Sequence, residues 1–525
     1  MDEEALIVLS EVVFSLPDGC TPARALSELA ESFSTVIHPT VTEHRDYFDT
    51  FDWRLFVKSL VLYRTGGQLV LRKLHDNGTL ATLVNGKPTF AWDLPESQIK
   101  AELATILKVR ALIRMASLEF RSTTVRILNS DQKTVARLVL EETALPDDQE
   151  GSELSTRVWL KPVRGYPGRF RRARRRLERA GYTITTLEDD LVTASEAFGR
   201  RPGSYSSRID VHLEPDMRSD AATKKVLAFL LGVMKQNEQG IRDDIDTEFL
   251  HDFRVAVRRT RSALGQVKNV FSPETTDRFK QVFAEIGDFT NELRDLDVYL
   301  LNEEAYLDML PEALRADIAP LFKHLRKKRS LALRHVIRNL DSESYARNLT
   351  AWEAFLAEPV PDAPLATNAE RPIMELASLR IHKWYRKIIK ARNSALDGAQ
   401  DETLHALRIE CKKLRYLLEF FYSLYPPSET STLIDQLKGL QDNLGDFNDL
   451  SVQQDYLLNI VEELPLSDPQ TPSTLVAVGT LVGVLDQKKQ RVRDAFADTF
   501  SGFSSQSNQK LFRELFAQPR RNAQR

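Results

Sequence analysis

The spacing of apolar and polar residues changes once along the chain, near residue 200. In residues 1–199, short apolar runs alternate with turn-forming residues, and residues 69–74 have the pattern of a strand. The turn signals are Asp76-Asn77-Gly78, Asn85-Gly86 and Asn129-Ser130-Asp131. This part is therefore predicted to be mainly β structure with a few helices.

After Met217 the apolar residues recur with the period of a helix, which predicts a helical bundle to the end of the chain. Proline-containing breaks occur at residues 272–273, 359–364, 425–427 and 465–472. A stretch rich in Pro, Gly and Ser separates the two parts. We therefore predict an α+β multidomain chain with an N-terminal domain at 1–205, a linker at 206–216, an all-α bundle at 217–515 and a tail at 516–525.

One pattern of fifteen residues occurs twice, at 250–264 and at 404–418. On a helix with about 100° per residue, the basic residues of each copy fall within roughly 80° of one another. They are His251, Arg254, Arg258 and Arg261 in the first copy and His405, Arg408, Lys412 and Arg415 in the second. An apolar stripe runs beside them, comprising Leu250, Phe253, Val257 and Leu264, and then Leu404, Leu407, Cys411 and Leu418. Each helix is predicted to pack through its apolar stripe and to leave the basic stripe accessible.

The duplication extends beyond these two helices. Residues 293–297 recur as residues 444–448, an offset of 151 residues against 154 for the basic helices. Whole multi-helix units therefore repeat, which predicts a pseudo-twofold bundle whose two basic faces converge on one groove lined by eight cations.

Other charged residues are candidates for the edge of this groove. The basic ones are Lys327, Lys328, Arg329, Arg334 and Arg338 in the first half, and Lys383, Arg386, Lys387 and Lys390 in the second; solvated surface is the alternative interpretation of each. Asp295, Asp297 and Asp446 are interpreted either as catalytic or metal-binding acids or as acids that hydrogen-bond Arg or His side chains and orient them. The second interpretation is favoured because no third acid completes a metal site.

Composition and charge restrict the location and the partners of the protein. The chain has 525 residues and a formal net charge of −3, so no overall positive field would attract nucleic acid or anionic lipid. Cys20 and Cys411 are the two cysteines, which implies neither a disulfide framework nor a zinc site. The acidic N-terminus lacks the features of a signal peptide, and the longest apolar run, near 475–485, is too short to span a bilayer. We expect a cytoplasmic protein with no membrane segment.

Four cations on one helix face repel one another unless something offsets their charge. Acids from neighbouring helices could do so, which would make the stripe an ordinary solvated face. The duplication of His together with Arg and Lys at matching positions instead favours an anion site, and a phosphate-rich polymer suits the donors present.

These residues resemble the conserved histidine α-helical domain (CHAD) family over about residues 217–515. The resemblance rests on His-x-x-Arg-x-x-x-Arg-Arg-x-Arg at 251–261, its Lys-containing counterpart at 405–415, Arg-Asp-x-Asp at 294–297 and the helical repeat. It implies a helical fold with a central basic channel that binds inorganic polyphosphate, and association of some members with polyphosphate granules. The implied binding residues are His251, Arg254, Arg258, Arg259, Arg261, His405, Arg408, Lys412, Lys413 and Arg415, and we add Arg329 and Arg334 from the rim.

The first 200 residues resemble in outline a CYTH domain, an antiparallel β-barrel of the triphosphate tunnel type that hydrolyses triphosphate with a divalent metal. The segment at 47–55 resembles the Tyr-Tyr-Asp-Thr-x-Asp-x-x-Leu segment of that family. The residues of the catalytic chemistry are missing. Residues 11–15 read Glu-Val-Val-Phe-Ser in place of Glu-x-Glu-x-Lys, Val70 and Val84 replace an Arg and a Lys, and Arg157, Trp159 and Lys161 replace three acids. We expect a pseudoenzyme with no catalytic residue, metal or cofactor.

The function favoured by the sequence is non-catalytic binding of inorganic polyphosphate, in the cytoplasm and at polyphosphate granules. The alternative is an inorganic triphosphatase or polyphosphatase that uses the N-terminal domain and therefore needs the missing acids. Binding of single-stranded nucleic acid is disfavoured because the basic stripes carry no Trp or Tyr on which bases could stack.

A run of arginines at the end of the N-terminal domain has two open interpretations. It comprises Arg169, Arg171, Arg172, Arg174, Arg175, Arg176 and Arg179. It is either a solvated face whose arginines pair with acids of the other domain, or an accessory patch for anions.

Overall fold

The structure of the chain is a computed structural model. It describes residues 11–74, 79–84, 89–146, 153–186, 188–364, 366–391, 401–463 and 469–517. The chain divides into two compact units, residues 1–206 and residues 207–525. The predicted turns at 76–78 and 85–86 and most of the predicted tail lie outside the described residues.

The first unit is built on an antiparallel sheet. Its strands are β1 (Val12–Ser15), β2 (Thr35–Ile37), β3 (Val41–Asp49), β4 (Leu60–Thr65), β5 (Gln68–Lys73), β6 (Thr79–Val84), β7 (Ile113–Leu128), β8 (Thr134–Ala144), β9 (Glu153–Pro162) and β10 (Thr183–Ile184). Its helices are α1 (Pro22–Ser32), α2 (Arg54–Val57), α3 (Gln98–Leu107), α4 (Pro167–Arg179) and α5 (Glu188–Ala197). The strands pair in the order β10-β1-β9-β8-β7-β3-β4-β5-β6, and β2 pairs with β7. The predicted antiparallel sheet domain is thus confirmed.

Side chains alternate between the two faces of this sheet, as they do in any strand. On one face, Leu138 and Leu160 pack against Phe170 and Leu177 of α4, and we call this the α4 face. On the other, Tyr47 and its neighbours pack against α5, and we call this the α5 face. Both faces of the sheet are therefore covered by helices of the same unit.

The second unit is helical. Its helices are α6 (Ser219–Arg242), α7 (Thr247–Gln266), α8 (Pro273–Phe289), α9 (Asn291–Leu301), α10 (Glu303–Met309), α11 (Glu312–Arg315), α12 (Ala319–Leu340), α13 (Glu343–Ala357), α14 (Ile373–Lys390), α15 (Asp401–Phe420), α16 (Pro427–Ile460), α17 (Thr471–Asp494), α18 (Phe496–Phe503) and α19 (Gln506–Phe516). The predicted helical region is confirmed. None of the described helices combines the length and the apolar character that crossing a bilayer requires.

The helices begin where the sequence signals predict. Ser272 caps α8 by accepting a hydrogen bond from the backbone N–H of Thr275 at 3.2 Å, and Pro273 takes the first helical position. Asp246 caps α7 in the same way, accepting from the N–H of Glu248 at 2.9 Å. The predicted apolar stripes of α7 and α15 are buried, so these two helices dock as expected.

The contact between α6 and α7 depends on one glycine. A Cβ atom added at Gly240 would overlap the aromatic ring of Phe249, which is fully buried. We therefore expect Gly240→Ala to lower the free energy of unfolding by about 1–3 kcal/mol, the usual cost of overpacking a core. Gly232→Ala, on the same helix, is the control, because a Cβ there meets no atom and alanine favours the helix. Equal denaturation midpoints for the two variants would contradict this packing.

Candidate functional site

The two repeated helices lie beside each other, and one acid joins them. Glu419 on α15 accepts from the guanidinium of Arg259 on α7 and from that of Arg415 on its own helix, each at 2.7 Å. All three side chains are largely buried or half-buried. The two repeated helices are therefore in contact, and the predicted groove lined by eight cations stays a prediction.

Cations from both repeats also approach each other around Lys412. Burial, together with the nearby guanidinium groups of Arg408 and Arg258, lowers the pKa of Lys412 to about 8. Asp449 acts in the opposite direction but does not cancel these effects. Arg258 belongs to the first repeat and Lys412 to the second, so the repeats create one region of concentrated positive charge.

A cleft opens beside this region. Its volume is about 440 Å³. It is lined by Ser207, Arg208, Ile209, His251, Asp252, Val255, Arg259, Arg415, Glu419, Tyr422 and Ile434. His251, Arg259 and Arg415, three of the residues predicted from the sequence, thus share one cavity.

Arg254 differs from the prediction. Its side chain is buried and donates hydrogen bonds to the carbonyl of Gly287 at 3.0 Å, Thr290 Oγ1 at 2.6 Å and Asn291 Oδ1 at 2.7 Å. Burial lowers its pKa to about 10, and Asp295 acts in the opposite direction, so the group stays charged at neutral pH. The predicted accessibility of Arg254 is wrong: the side chain ties α7 to the C-terminus of α8, where a cation is favourable.

Arg329, predicted at the rim, is held between two acids. Its guanidinium pairs with buried Asp297 at 2.7 Å and with Asp244 at 2.6 Å. Burial raises the pKa of Asp297 to about 6, although the charge of Arg329 opposes this change. The interpretation of Asp297 as an orienting acid agrees with this geometry, and Arg329 has its charge already balanced.

In the second repeat, different residues take the orienting role predicted for Asp446. Asp446 is exposed and forms no ion pair with the described residues. Asp449 instead pairs with Arg408 at 3.0 Å, and Asn448 Oδ1 lies within hydrogen-bonding distance of His405 Nδ1. Asn448 is the last residue of the repeated segment 444–448, so the repeat predicts a role for this position. Asp449 lies outside the segment, and the repeat does not predict its role.

The other predicted residues differ in how freely they can meet a ligand. Arg261 and Arg334 are exposed, and His251 is half-buried in the cleft. Lys413 lies over the ring of Trp384, 4.9 Å from its centroid. The repeated pattern does not predict this tryptophan, because it comes from α14 and not from either basic stripe.

The remaining rim candidates are mostly exposed. Lys327, Arg338, Lys383, Arg386 and Lys390 are exposed, whereas Lys328 pairs with Glu463 and Lys387 with Glu410. The exposed members therefore remain candidates for the rim, and the two paired lysines have their charge balanced.

The residues predicted to replace the acids of the CYTH family lie together on the α5 face of the first unit. Trp159 Nε1 donates to Glu141 at 2.9 Å, and Arg72 stacks on the Trp159 ring with 4.9 Å between the guanidinium carbon and the centroid. Glu11 has Arg72 at 3.4 Å and Lys161 at 3.7 Å. These residues do not fit a divalent metal, because cations and an indole surround the carboxylates. Among the described residues, no group of three His, Cys, Asp or Glu side chains could hold one.

The helical unit thus combines an internal repeat with a cationic cleft. The family described as CHAD domain matches residues 225–458. This part of the helical unit is therefore similar to the CHAD domain family.

Two curated relatives are similar to part of the chain. They are the uncharacterised proteins Rv2226 and MT2285 from two strains of Mycobacterium tuberculosis, 28% and 27% identical over 218 residues. The match covers 40% of this chain and 40% of each relative, so the chain spans about two-fifths of their length.

Three solved structures are also similar. The CHAD domain from the plant Ricinus communis is 24% identical, with a TM-score of 0.47, covering 57% of this chain and 96% of that one. PptA from Streptomyces chartreusis is 17% identical, with a TM-score of 0.39, covering 54% of this chain and 99% of that one. HpAC1 from Hippeastrum, described as having a dominant triphosphatase activity, is 15% identical, with a TM-score of 0.24, covering 33% of this chain and 90% of that one.

Proposed function

We propose that the helical unit binds inorganic polyphosphate in the region between α7 and α15, without catalysing a reaction. The observation that carries this proposal is the approach of Arg258 and Lys412 from different repeats, neither of which has a carboxylate partner among the described residues; burial, and then the charges of Arg408 and Arg258, lower the pKa of Lys412. Holding like charges together in a partly buried place costs free energy. A bound polyanion would recover that cost, because each phosphate would stabilise the charged forms of the cations around it.

The solvated-face interpretation explains only some of these cations. Glu419 neutralises part of the charge of Arg259 and Arg415, and Asp449 pairs with Arg408. Within the described part of the chain, Arg258, Arg261 and Lys412 form no ion pair with a carboxylate. Unpaired cations therefore come from both repeats. A ligand that contacts both repeats at once requires this arrangement.

Nucleic acid fits this region less well. Stacking of bases needs aromatic rings with free faces. Phe253 is buried in the core, and Trp384 is covered by Lys387 and Lys413 at 5.1 and 4.9 Å. Tyr422 is the one aromatic residue in the described lining of the cleft, and it is half-buried with its hydroxyl 3.0 Å from Ser431 Oγ. A linear phosphate polymer needs only the cations, so it is the better ligand for this surface.

A competition titration of the full chain tests the proposal. We expect polyphosphate of defined length to bind with an affinity that falls steeply as salt rises, because neutralised phosphates release their counterions. RNA at the same phosphate concentration should displace little of it. Displacement of polyphosphate by RNA at equal phosphate concentration would indicate a nucleic-acid-binding protein. If neither polymer bound, the proposal would be wrong.

Binding is expected to depend on pH through Lys412. In the free protein its pKa is about 8, so the group loses its charge as pH rises through that value, whereas a bound polyanion raises the pKa. Affinity should therefore fall as pH rises from about 7 to about 9, by up to roughly tenfold per unit above the free pKa. The variant Lys412→Arg should lose this dependence because arginine stays charged throughout. If the affinity fell equally with rising pH in the wild type and in Lys412→Arg, another group would cause the dependence.

We further propose that the first unit does not hydrolyse triphosphate. Phosphoryl transfer depends on metal and cationic groups placed around the phosphates, and Glu11 is engaged by Arg72 and Lys161. The full chain, supplied with Mg²⁺ or Mn²⁺ and triphosphate, is expected to release phosphate no faster than its Glu11→Gln variant. Turnover that Glu11→Gln abolishes would make the protein an enzyme.

A chain that binds polyphosphate in this way would be retained wherever the polymer accumulates. We therefore expect it in the cytoplasm and on polyphosphate granules. Fluorescence of a tagged chain should be concentrated on granules and become diffuse when the cells lack the polymer. Granule association in the variant that carries Arg258→Gln and Lys412→Gln would show that other contacts recruit it.

A further inference from the structure

Helix α4 of the first unit presents an arginine face that the polyphosphate region described above does not include. Six of its arginines are exposed, namely Arg169, Arg171, Arg172, Arg175, Arg176 and Arg179. Arg174 pairs with Glu178 at 2.8 Å, and the six exposed arginines form no ion pair with any described residue. The cations of this helix are thus largely uncompensated.

The orientation of α4 is set by its apolar residues. Phe170, Ala173 and Leu177 are buried against the α4 face of the sheet. Arg169, Arg172, Arg176 and Arg179 follow at intervals of three and four residues, so they form a stripe about 15 Å long on the side that remains free. The stripe therefore lies on the opposite side of the sheet from Trp159 and Lys161.

The arginine stripe agrees with the helix dipole at one end of α4 and conflicts with it at the other. Arg176 and Arg179 lie in the last turn, where cations are favourable, but the first turn holds no acid and Arg169 lies near its start, where acids are favoured. Cations three and four residues apart also repel one another. A sequence that breaks two local rules at one exposed place commonly does so for a function.

Resting on the proposed function, we propose that the exposed arginines of α4 form a second polyphosphate-binding surface, so that one long polymer is held by both units. Guanidinium groups bind phosphate oxygens through two parallel hydrogen bonds, and all six exposed cations are arginines. A second contact on the same polymer is intramolecular and raises the affinity without requiring a new partner.

Other anionic partners fit this helix less well. Insertion into a bilayer needs free apolar side chains beside the cations, and those of α4 are buried in the sheet. Binding of single-stranded RNA needs free aromatic rings, but Phe170 of the helix is buried, and the partly buried ring of Phe33 beside it is covered by Arg176, 5.1 Å from the centroid. A linear chain of phosphates needs neither.

The test compares two variants of the full chain at the same four positions. One carries Arg169→Gln, Arg172→Gln, Arg176→Gln and Arg179→Gln, and the other carries lysine at these positions. We expect the glutamine variant to bind long polyphosphate about a hundredfold more weakly than the wild type, and short polyphosphate equally well. The lysine variant should keep most of the affinity for the long polymer. Equal melting temperatures would show that the variants are folded.

The outcomes separate this inference from the proposed function. If the wild type binds neither long nor short polyphosphate, the proposed function fails. If the wild type binds both, and the glutamine variant binds the long polymer as tightly as the wild type, only the second surface is disproved. A glutamine variant that loses binding to RNA or to anionic vesicles while keeping polyphosphate would overturn the choice of partner.

Discussion

Replacing Arg258 and Lys412 together with glutamine is expected to weaken the binding of polyphosphate about a hundredfold. Each side chain would supply a charged hydrogen bond worth about 1.5 kcal/mol, and every 1.4 kcal/mol changes the affinity tenfold. The two residues belong to different repeats and lie in the same region, since Arg258 contributes, after burial and Arg408, to the lowered pKa of Lys412. Calorimetric titration with short polyphosphate measures the effect.

The control removes two cations elsewhere in the same unit. Arg347 and Lys510 are exposed and lie on α13 and α19. Arg347→Gln with Lys510→Gln changes the net charge of the chain by the same amount, so only the position of the lost charge differs. An equal loss of affinity in both double variants would mean that binding depends on the overall charge of the chain and not on a particular site.

The change Arg254→Gln is expected to lower the free energy of unfolding by about 3 kcal/mol. The buried guanidinium makes three hydrogen bonds that join α7 to the end of α8 and the start of α9, and hydrogen bonds to charged groups contribute about 1.5–3 kcal/mol each. Glutamine is too short to replace them all. Denaturation by urea, followed by the loss of helical signal, measures this effect.

Arg261→Gln on the same helix is the matched control. Arg261 is exposed, so its loss should leave the stability unchanged while lowering the affinity for polyphosphate. If Arg254→Gln unfolded at the same urea concentration as Arg261→Gln, the structural role assigned to Arg254 would be incorrect.

The sequence predicted those features that depend on local periodicity and on the duplication. Leu250 and Phe253 in α7, and Leu404 and Cys411 in α15, are buried as the helical period required. Alternation along a strand likewise placed Trp159 and Lys161 on one face of the sheet. These predictions succeed because each depends only on residues a few positions apart.

The partners of individual cations could not be predicted in this way. Arg259 pairs with Glu419, which lies 160 residues later in the chain, and Arg329 pairs with Asp244, which lies 85 residues earlier. Arg254 shares a helix face with Arg258 in the sequence pattern, yet the C-terminus of α8 covers only Arg254. Tertiary contacts, and not the repeat, decide which cations are free.

The two repeats are proposed to form one binding site for the polymer. Titrations of short polyphosphate into Arg258→Gln and Lys412→Gln, each as a single variant, test this claim most directly because they report affinity and stoichiometry together. We predict that each variant binds more weakly while the number of polymers bound per chain stays the same as in the wild type. Unchanged affinity with half the binding capacity would show that each repeat holds its own ligand and that the two repeats do not share a site.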